Sequence, residues 1–420
     1  MKIAMMTNNY KPFVGGVPVS VERLTEGLRE RGHEVCVFAP EYKGYEDVYG
    51  EDVVRYHSSN RKLKNGMAFP GIWDSRLKEE FEWREFDLIH VHHPMLIGNV
   101  AVHLSRTYQI PLVYTYHTRY EEYLHYIDWF SSKGYGRQKC MKVCKRLLPY
   151  YMNSYMRKCD LVLAPSVGMR KYIESQEVET PVRVLPTGLD DSAYKEEKEK
   201  SGEIRNQILS EKKYLFCTMS RLEKEKNLYF LLRCIQSLKK RMGEEFRFMI
   251  VGGGDERNEL ETYARELGIE EVTVFVGEVP NQEVKHYLFA SDSFLFASKS
   301  ETQGIVLSEA MAAGLPVVAV SACGVDDIVK NGRNGFLTEE KEEEFASRIE
   351  ELVQNKVKYE KMKEEARKTA WNYQMSYITT EAETYYRMLL ERERSVVKYE
   401  NETRKKKNPV SSVLHLFKAS

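Results

Sequence analysis

Residues Ser298–Val325 read SKSETQGIVLSEAMAAGLPVVAVSACGV and place two carboxylates, Glu301 and Glu309, around a loop that opens into a helix. Between Glu301 and Asp326, Glu309 is the only charged residue, and its neighbours are small or apolar. Burying a carboxylate without partners costs several kcal/mol, so a ligand partner for Glu309 is the natural inference. The preceding run Ser293–Ala297, SFLFA, reads as a short buried strand, and Gly304–Ala313 reads as a helix. Amides at a helix start bind phosphate. Glu301, just before the helix, can accept hydrogen bonds from sugar hydroxyls, and Glu309, about two turns later, can hold a ribose diol. That arrangement fits a nucleotide-sugar.

Outward from this stretch the chain alternates strands and helices. Residues 1 to 186 begin with the strand KIAMMT and a glycine-rich loop at Gly15 and Gly16, followed by a helix over Val19–Arg31 and a strand over Glu34–Phe38. Further strands are predicted at Leu88–Val91, Leu112–Tyr116, Leu161–Ala164 and Val182–Leu185. Pro186-Thr187-Gly188 is a turn, and Lys195–Gly202, KEEKEKSG, reads as a charged connection. A second alternation has strands at Tyr214–Met219, Phe246–Val251, Val272–Val276, Phe294–Ala297 and Val317–Val320. Such patterns predict an α/β protein with two doubly wound parallel sheets. Ligands of such sheets sit at the carboxyl ends of strands, here in the cleft between two domains.

At 420 residues the chain is long enough for two or three cores. Basic and acidic residues balance at 63 each, which argues against general nucleic-acid binding. Cys36, Cys140, Cys144, Cys159, Cys217, Cys234 and Cys323 form no CxxC pair, so neither a disulfide framework nor a zinc site is favoured, and a reducing cytoplasm is expected. Ile3–Met6 is too short for a secretory core, and no stretch approaches the ~18 apolar residues a spanning helix needs. Membrane contact is therefore expected to be peripheral, on the inner face.

The Glu301-x7-Glu309 spacing resembles that of retaining glycosyltransferases with the two-domain GT-B fold, in the large family four. The resemblance extends through Gly15-Gly16, GHEV at Gly32–Val35, YHT at Tyr116–Thr118, PTGLD at Pro186–Asp190, SRLEKEKN at Ser220–Asn227 and VGGGDER at Val251–Arg257. It implies two Rossmann-like domains, 1–188 on the acceptor side and 189–372 on the nucleotide-sugar side. A helix over 373–394 would cross back to the first domain, leaving a basic, amphipathic tail at 395–420. Arg221 and Lys226 are expected on the departing diphosphate, where negative charge develops. Gly15 and Gly16 let backbone approach the ligand. His117 would lie beside the transferred sugar, while Glu301, Gln303, Gly304, Ile305, Val306 and Glu309 bind the donor. The implied chemistry is front-face transfer, in which the departing phosphate oxygen accepts the acceptor's proton, with no metal and no cofactor.

ETQG at Glu301–Gly304 and HTRYEEYLHYI at His117–Ile127 are similar to the bacterial diacylglycerol glucosyltransferases. This implies UDP-glucose as donor and diacylglycerol as acceptor, with a polyprenyl-linked or soluble saccharide as the alternative. Ser131–Cys159 carries Lys133, Arg137, Lys139, Lys142, Lys145, Arg146, Arg157 and Lys158 and no acidic residue, with Tyr135, Leu147, Leu148, Tyr150, Tyr151, Met152, Tyr155 and Met156 interleaved. Basic side chains near anionic lipid gain up to ~1 kcal/mol each. Apolar ones add insertion. The segment therefore reads as an anionic-membrane surface, against a solvated basic helix pair or an RNA patch. A nicotinamide-dependent dehydrogenase would need GxGxxG after a strand, which neither Gly15-Gly16 nor Gly252-Gly253-Gly254 supplies. A non-enzymatic membrane module leaves Arg221, Lys226, Glu301 and Glu309 unexplained.

Overall fold

The computed structural model describes residues 1–13, 15–47, 52–62, 68–70, 74–120 and 135–407; within these, the side chains of 59–62, 68–70, 135–142, 144, 145 and 393–407 lie outside the description. The first half contains β1 (Lys2–Met6), β2 (Glu34–Pro40), β3 (Val53–Tyr56), an antiparallel pair β4 (Ser58–Lys62) and β5 (Ala68–Pro70), β6 (Leu88–Val91), β7 (Leu112–Thr115), β8 (Leu161–Ala164) and β9 (Val182–Val184). Seven of these form one parallel sheet in the order β3-β2-β1-β6-β7-β8-β9. The second half contains β10 (Tyr214–Met219), β11 (Phe246–Val251), β12 (Thr273–Gly277), β13 (Ser293–Phe296), β14 (Val317–Val320) and β15 (Gly335–Thr338), ordered β12-β11-β10-β13-β14-β15.

Strands β6, β7, β8, β13 and β14 are buried at every residue. They read as continuous apolar runs because helices cover both faces of a parallel sheet. One face of the first sheet packs Phe38, Tyr114 and Tyr155, the other Val21, Leu28 and Leu163. The second sheet likewise packs Phe216, Phe230 and Phe345 on one face and Phe294, Leu307 and Met311 on the other. The predicted two-sheet α/β class is thus the observed one.

Three differences from the sequence reading have local causes. The edge strands β3 and β15 were not predicted: each is four residues long, and β3 carries half-buried Arg55 while β15 opens on Gly335. The supposed connection Lys195–Gly202 runs into a helix over Lys198–Leu209. Its charges precede Ile204, Ile208 and Leu209, which pack on the second core, so one face is solvated and the other is not. The last helix spans Met375–Lys407, well past Arg394 and into the stretch expected as a tail; residues 408–420 lie outside the described residues.

Two strands of chain cross between the halves and pair with each other. Leu189 N donates to Tyr373 O at 2.7 Å, and Met375 N donates to Leu189 O at 3.0 Å. The Met375–Lys407 helix then packs on the first sheet through Ile378, Ala382 and Tyr386. It crosses the Gly16–Glu30 helix so closely that a Cβ on Gly27 would stand 2.3 Å from Thr379 Oγ1.

Candidate active site

Each sheet has a point where strand order reverses, between β1 and β6 in the first and between β10 and β13 in the second. Loops leaving the carboxyl ends there splay apart and form a crevice. The first sheet contributes the loop after β1, His92 and His93 after β6, and His117 after β7. The second contributes Ser220–Asn227 after β10 and Ser298–Gly304 after β13.

The two carboxylates singled out in the sequence are each held by a cation. Lys226 Nζ lies 2.6 Å from Glu301 Oε1, with both side chains mostly covered. Glu309 Oε1 is 2.9 Å from Arg23 Nη2, and Arg23 belongs to the Gly16–Glu30 helix of the other sheet. Arg23 also places Nε 3.2 Å from Asp190 Oδ2 and donates Nη1 to Gly188 O at 3.2 Å. Burial alone would lower the pKa of this guanidinium, but the facing Glu309 and Asp190 outweigh it and hold it above its ordinary value.

The helix of the decisive stretch spans Ile305–Ala312, and Gly304 before it has φ +74, the left-handed region that glycine tolerates best. The first amides of a helix lack intrahelical partners. Across the crevice stands a second helix start: a Cβ on Gly16 would lie 3.9 Å from Ile305 Cδ1. Neither helix has an acidic residue in its first turn, so two positive helix ends converge unneutralised. Helix starts of this kind attract anions.

The loop Glu301–Gly304 is clasped from the first sheet's side. Thr302 Oγ1 donates to His117 O at 2.8 Å, and Ser166 Oγ donates to Thr302 O at 2.7 Å. Buried Gln303 accepts from Thr187 N at 2.7 Å and donates to Thr187 O at 3.1 Å. Both ends of its amide thus hold the Pro186–Gly188 turn. Arg221 is placed differently: it is exposed, 2.5 Å from Glu223 Oε1 and 3.3 Å from Glu225 Oε1.

His117 Nε2 is 2.8 Å from His92 Nδ1, and the two rings meet edge to edge with centroids 5.1 Å apart and planes 24° from parallel. His90 packs on the other side of His92 at 4.3 Å and bonds Tyr386 and Thr115. His93 Nδ1 accepts from Asn8 N at 3.1 Å. Burial pushes His90, His93 and His117 down to about 3 and His92 well below its ordinary value. The sign of the consequence follows: as pH falls below about 6.5 the unfolded chain takes up protons that the folded one refuses, so stability falls with pH. Each such histidine contributes up to about 1.4 kcal/mol per pH unit. The urea midpoint at about pH 5 is expected below that at about pH 7. An equal or higher midpoint would mean that these rings are charged in the folded protein.

The basic segment forms a helix over Tyr135–Met156. Lys133 and residues 121–127 of HTRYEEYLHYI lie outside the described residues, as do the side chains of Arg137, Lys139, Lys142 and Lys145. The sequence reading of its apolar residues as one membrane-facing set is corrected: Leu148, Met152, Tyr155 and Met156 are core residues of the first sheet, and Tyr151 packs against them. Val143, Arg146, Leu147 and Tyr150 are exposed, and their spacing puts them on the opposite face. No helix among the described residues is long and apolar enough to cross a membrane, and none of their His, Cys, Asp or Glu groups is arranged to hold a metal ion.

Arg23 and His92 carry no assignment from the sequence, and Asp190 and Thr302 stand there only as members of PTGLD and ETQG, with no role of their own. A lone arginine in an amphipathic helix carries no signal. His90, His92 and His93 at the end of an apolar strand did offer one, three imidazoles within four residues where ligands gather.

Residues 14–193 match the Glycosyltransferase Family 4 profile, and residues 200–369 match that of Glycosyl transferases group 1. The Alpha-monoglucosyldiacylglycerol synthase of Streptococcus pneumoniae is 27% identical over 80% of this chain and 75% of its own length. The enzyme of that name from Acholeplasma laidlawii is 27% identical over 84% of this chain and 87% of its own. Among solved structures, Anabaena HepE in complex with UDP superimposes with a TM-score of 0.70, at 21% identity over 92% of this chain and 99% of that one. Sucrose-phosphate synthase from Thermosynechococcus elongatus gives 0.75 at 17% identity, over 93% of this chain and 100% of that one. The shared architecture is GT-B.

Proposed function

Built from a Glycosyltransferase Family 4 domain followed by a Glycosyl transferases group 1 domain, the chain belongs to the glycosyltransferases, and we propose that it moves glucose from UDP-glucose to diacylglycerol at a membrane surface with retention of configuration. The observation that carries this reading is the pair of cation-held carboxylates, Glu301 with Lys226 and Glu309 with Arg23, at the Ile305–Ala312 helix start. The two relatives named for monoglucosyldiacylglycerol synthesis support the choice of donor and acceptor.

In this reading Glu309 accepts hydrogen bonds from the ribose diol, and Glu301 accepts them from sugar hydroxyls. The diphosphate lies between the helix starts at Gly16 and Ile305, where the Val306 amide, Lys226 and a reoriented Arg221 take up its charge. Gly15 and Gly16 admit it closely. The bond from the anomeric carbon to the phosphate oxygen breaks while the acceptor oxygen bonds to the same face of that carbon. The acceptor's proton passes to the departing phosphate oxygen, and UDP leaves. His117 lies beside the transferred sugar.

The reading depends on the position of the Glu301–Gly304 loop, which rests on Gly324. At Gly324 φ is +80, and a Cβ there would stand 2.7 Å from Glu301 O and 2.8 Å from Thr302 C. Gly324→Ala is expected to push the loop outward and lower kcat/KM about 100-fold, the scale of a misplacement near 1 Å. Unchanged kcat/KM in a folded variant would detach this loop from catalysis.

The exposed face of the Tyr135–Met156 helix, with Leu147 and Tyr150 beside Arg146, suits peripheral docking on anionic lipid. Leu147→Asp is expected to weaken binding to anionic vesicles about 10-fold in a flotation assay. Equal flotation would remove this face from the interface. The decisive experiment presents labelled UDP-glucose to vesicles of diacylglycerol and anionic lipid, with mass spectrometry of the product. Monoglucosyl lipid in the α configuration supports the proposal. Transfer from GDP-mannose instead, or only to soluble saccharide, would overturn the donor or acceptor assignment.

A further inference from the structure

His92 is buried at the wall of a small cavity shared with Ser20, Thr115 and Thr187, and its ring is held by its neighbours. It is 1% exposed, lies between the rings of His90 and His117, and has both nitrogens engaged. Nε2 is 3.4 Å from Met5 Sδ, and Nδ1 is 2.8 Å from His117 Nε2. A thioether sulfur carries no hydrogen and can only accept. His92 Nε2 therefore bears the proton, and in the neutral ring Nδ1 is left as an acceptor. His117 must then donate from Nε2, which leaves its own Nδ1 bare. The two nitrogens of an imidazole point in divergent directions, so this lone pair faces away from His92.

We propose that His92 is a positioning residue for glycosyl transfer: anchored on Met5, it fixes the tautomer and orientation of His117 so that His117 Nδ1 accepts a hydrogen bond from a hydroxyl of the bound sugar. This rests on the placement of His117 beside the transferred sugar. It goes further in excluding proton donation by His117 to the sugar and in assigning roles to His92 and Met5. Burial keeps both rings neutral, which preserves the relay.

The test separates the relay from the reaction. Nitrogen-15 NMR of the full chain with labelled histidine, without substrate, is expected to show His92 and His117 both protonated at Nε2, assigned through His92→Gln and His117→Gln. A His117 protonated at Nδ1, or at both nitrogens near neutral pH, would overturn the proposal whatever the enzyme transfers. Met5→Leu keeps the volume and removes the sulfur acceptor. It is expected to mix the tautomers and lower kcat about 5-fold, the worth of one neutral hydrogen bond, with little change in KM for the donor. Mixed tautomers with unchanged kcat would overturn the positioning role. Expected tautomers in a protein that transfers no glucose would leave the relay standing and sink the donor assignment instead.

Discussion

Lys226→Ala is expected to lower kcat by about 100- to 1000-fold, with a smaller change in KM for UDP-glucose, because the charge it meets grows as the diphosphate departs. Interactions that strengthen in the transition state act on kcat, whereas those made equally in the ground state act on KM. Lys226 pairs with Glu301 at 2.6 Å, so a merely structural ion pair has to be distinguished. Glu301 is 19% exposed at its side chain and water can reach it once Lys226 is gone. Exposed pairs contribute about 0–1 kcal/mol, and this mostly covered pair, which leaves Glu301 within reach of water, is expected to cost about 1–2 kcal/mol when broken. Lys226→Ala should thus unfold within a few degrees of the wild type while losing most of its turnover. Glu301→Gln should lose turnover too, since a neutral amide accepts less strongly from sugar hydroxyls. The double variant gives no rescue if both groups work on the substrate. A kcat within about threefold of wild type in Lys226→Ala, or recovery in the double variant, would reduce the pair to scaffolding.

The parts of this site that could be read in the sequence are those whose residue types are improbable where they stand. Glu309 is the only charge in a long apolar run, which pointed to a ligand partner; the structure pairs it with Arg23 of the same chain, so its burial does not by itself call for a ligand. Ser293–Ala297 and Tyr214–Met219 are long enough apolar runs to be recognised as strands, and both flank the reversal of strand order. What could not be read depends on pairing across the chain. Arg23 and Glu309 are 286 residues apart, and an arginine on a helix that faces solvent elsewhere looks the same as one that does not. Gln303 was assigned to the donor, yet both ends of its amide hold the Thr187 backbone. No local pattern distinguishes an amide that reads a ligand from one that fastens a turn. The helix Tyr135–Met156 shows the same limit: composition records how many aromatics it carries, and only the fold decides which of them face inward.

Arg23→Met is expected to weaken UDP binding about 10-fold and to cost about 3 kcal/mol of stability, near the low end for breaking a buried pair. The low end applies because the groups left behind are Glu309, 18% exposed at its side chain, and Asp190, 47% exposed, which water can reach. The binding loss has a separate origin. Arg23 occupies Glu309 Oε1 and so orients the carboxylate, and it does so from the other sheet while gripping Gly188 O in the crossing. Ribose recognition by the second domain therefore depends on the first domain being in place, and donor affinity becomes a measure of how the halves meet. Glu309→Gln removes the charge but keeps the shape, and should weaken UDP by about 10- to 100-fold, the worth of hydrogen bonds to a charged acceptor. If Arg23 acts on the nucleotide only through Glu309, the double variant should bind UDP no worse than Glu309→Gln alone, a non-additive result that calorimetry reads directly. Additive losses would mean that Arg23 touches the nucleotide itself. Wild-type affinity in Glu309→Gln would remove the carboxylate from the nucleotide site altogether and leave the Arg23 pair as a clamp between domains.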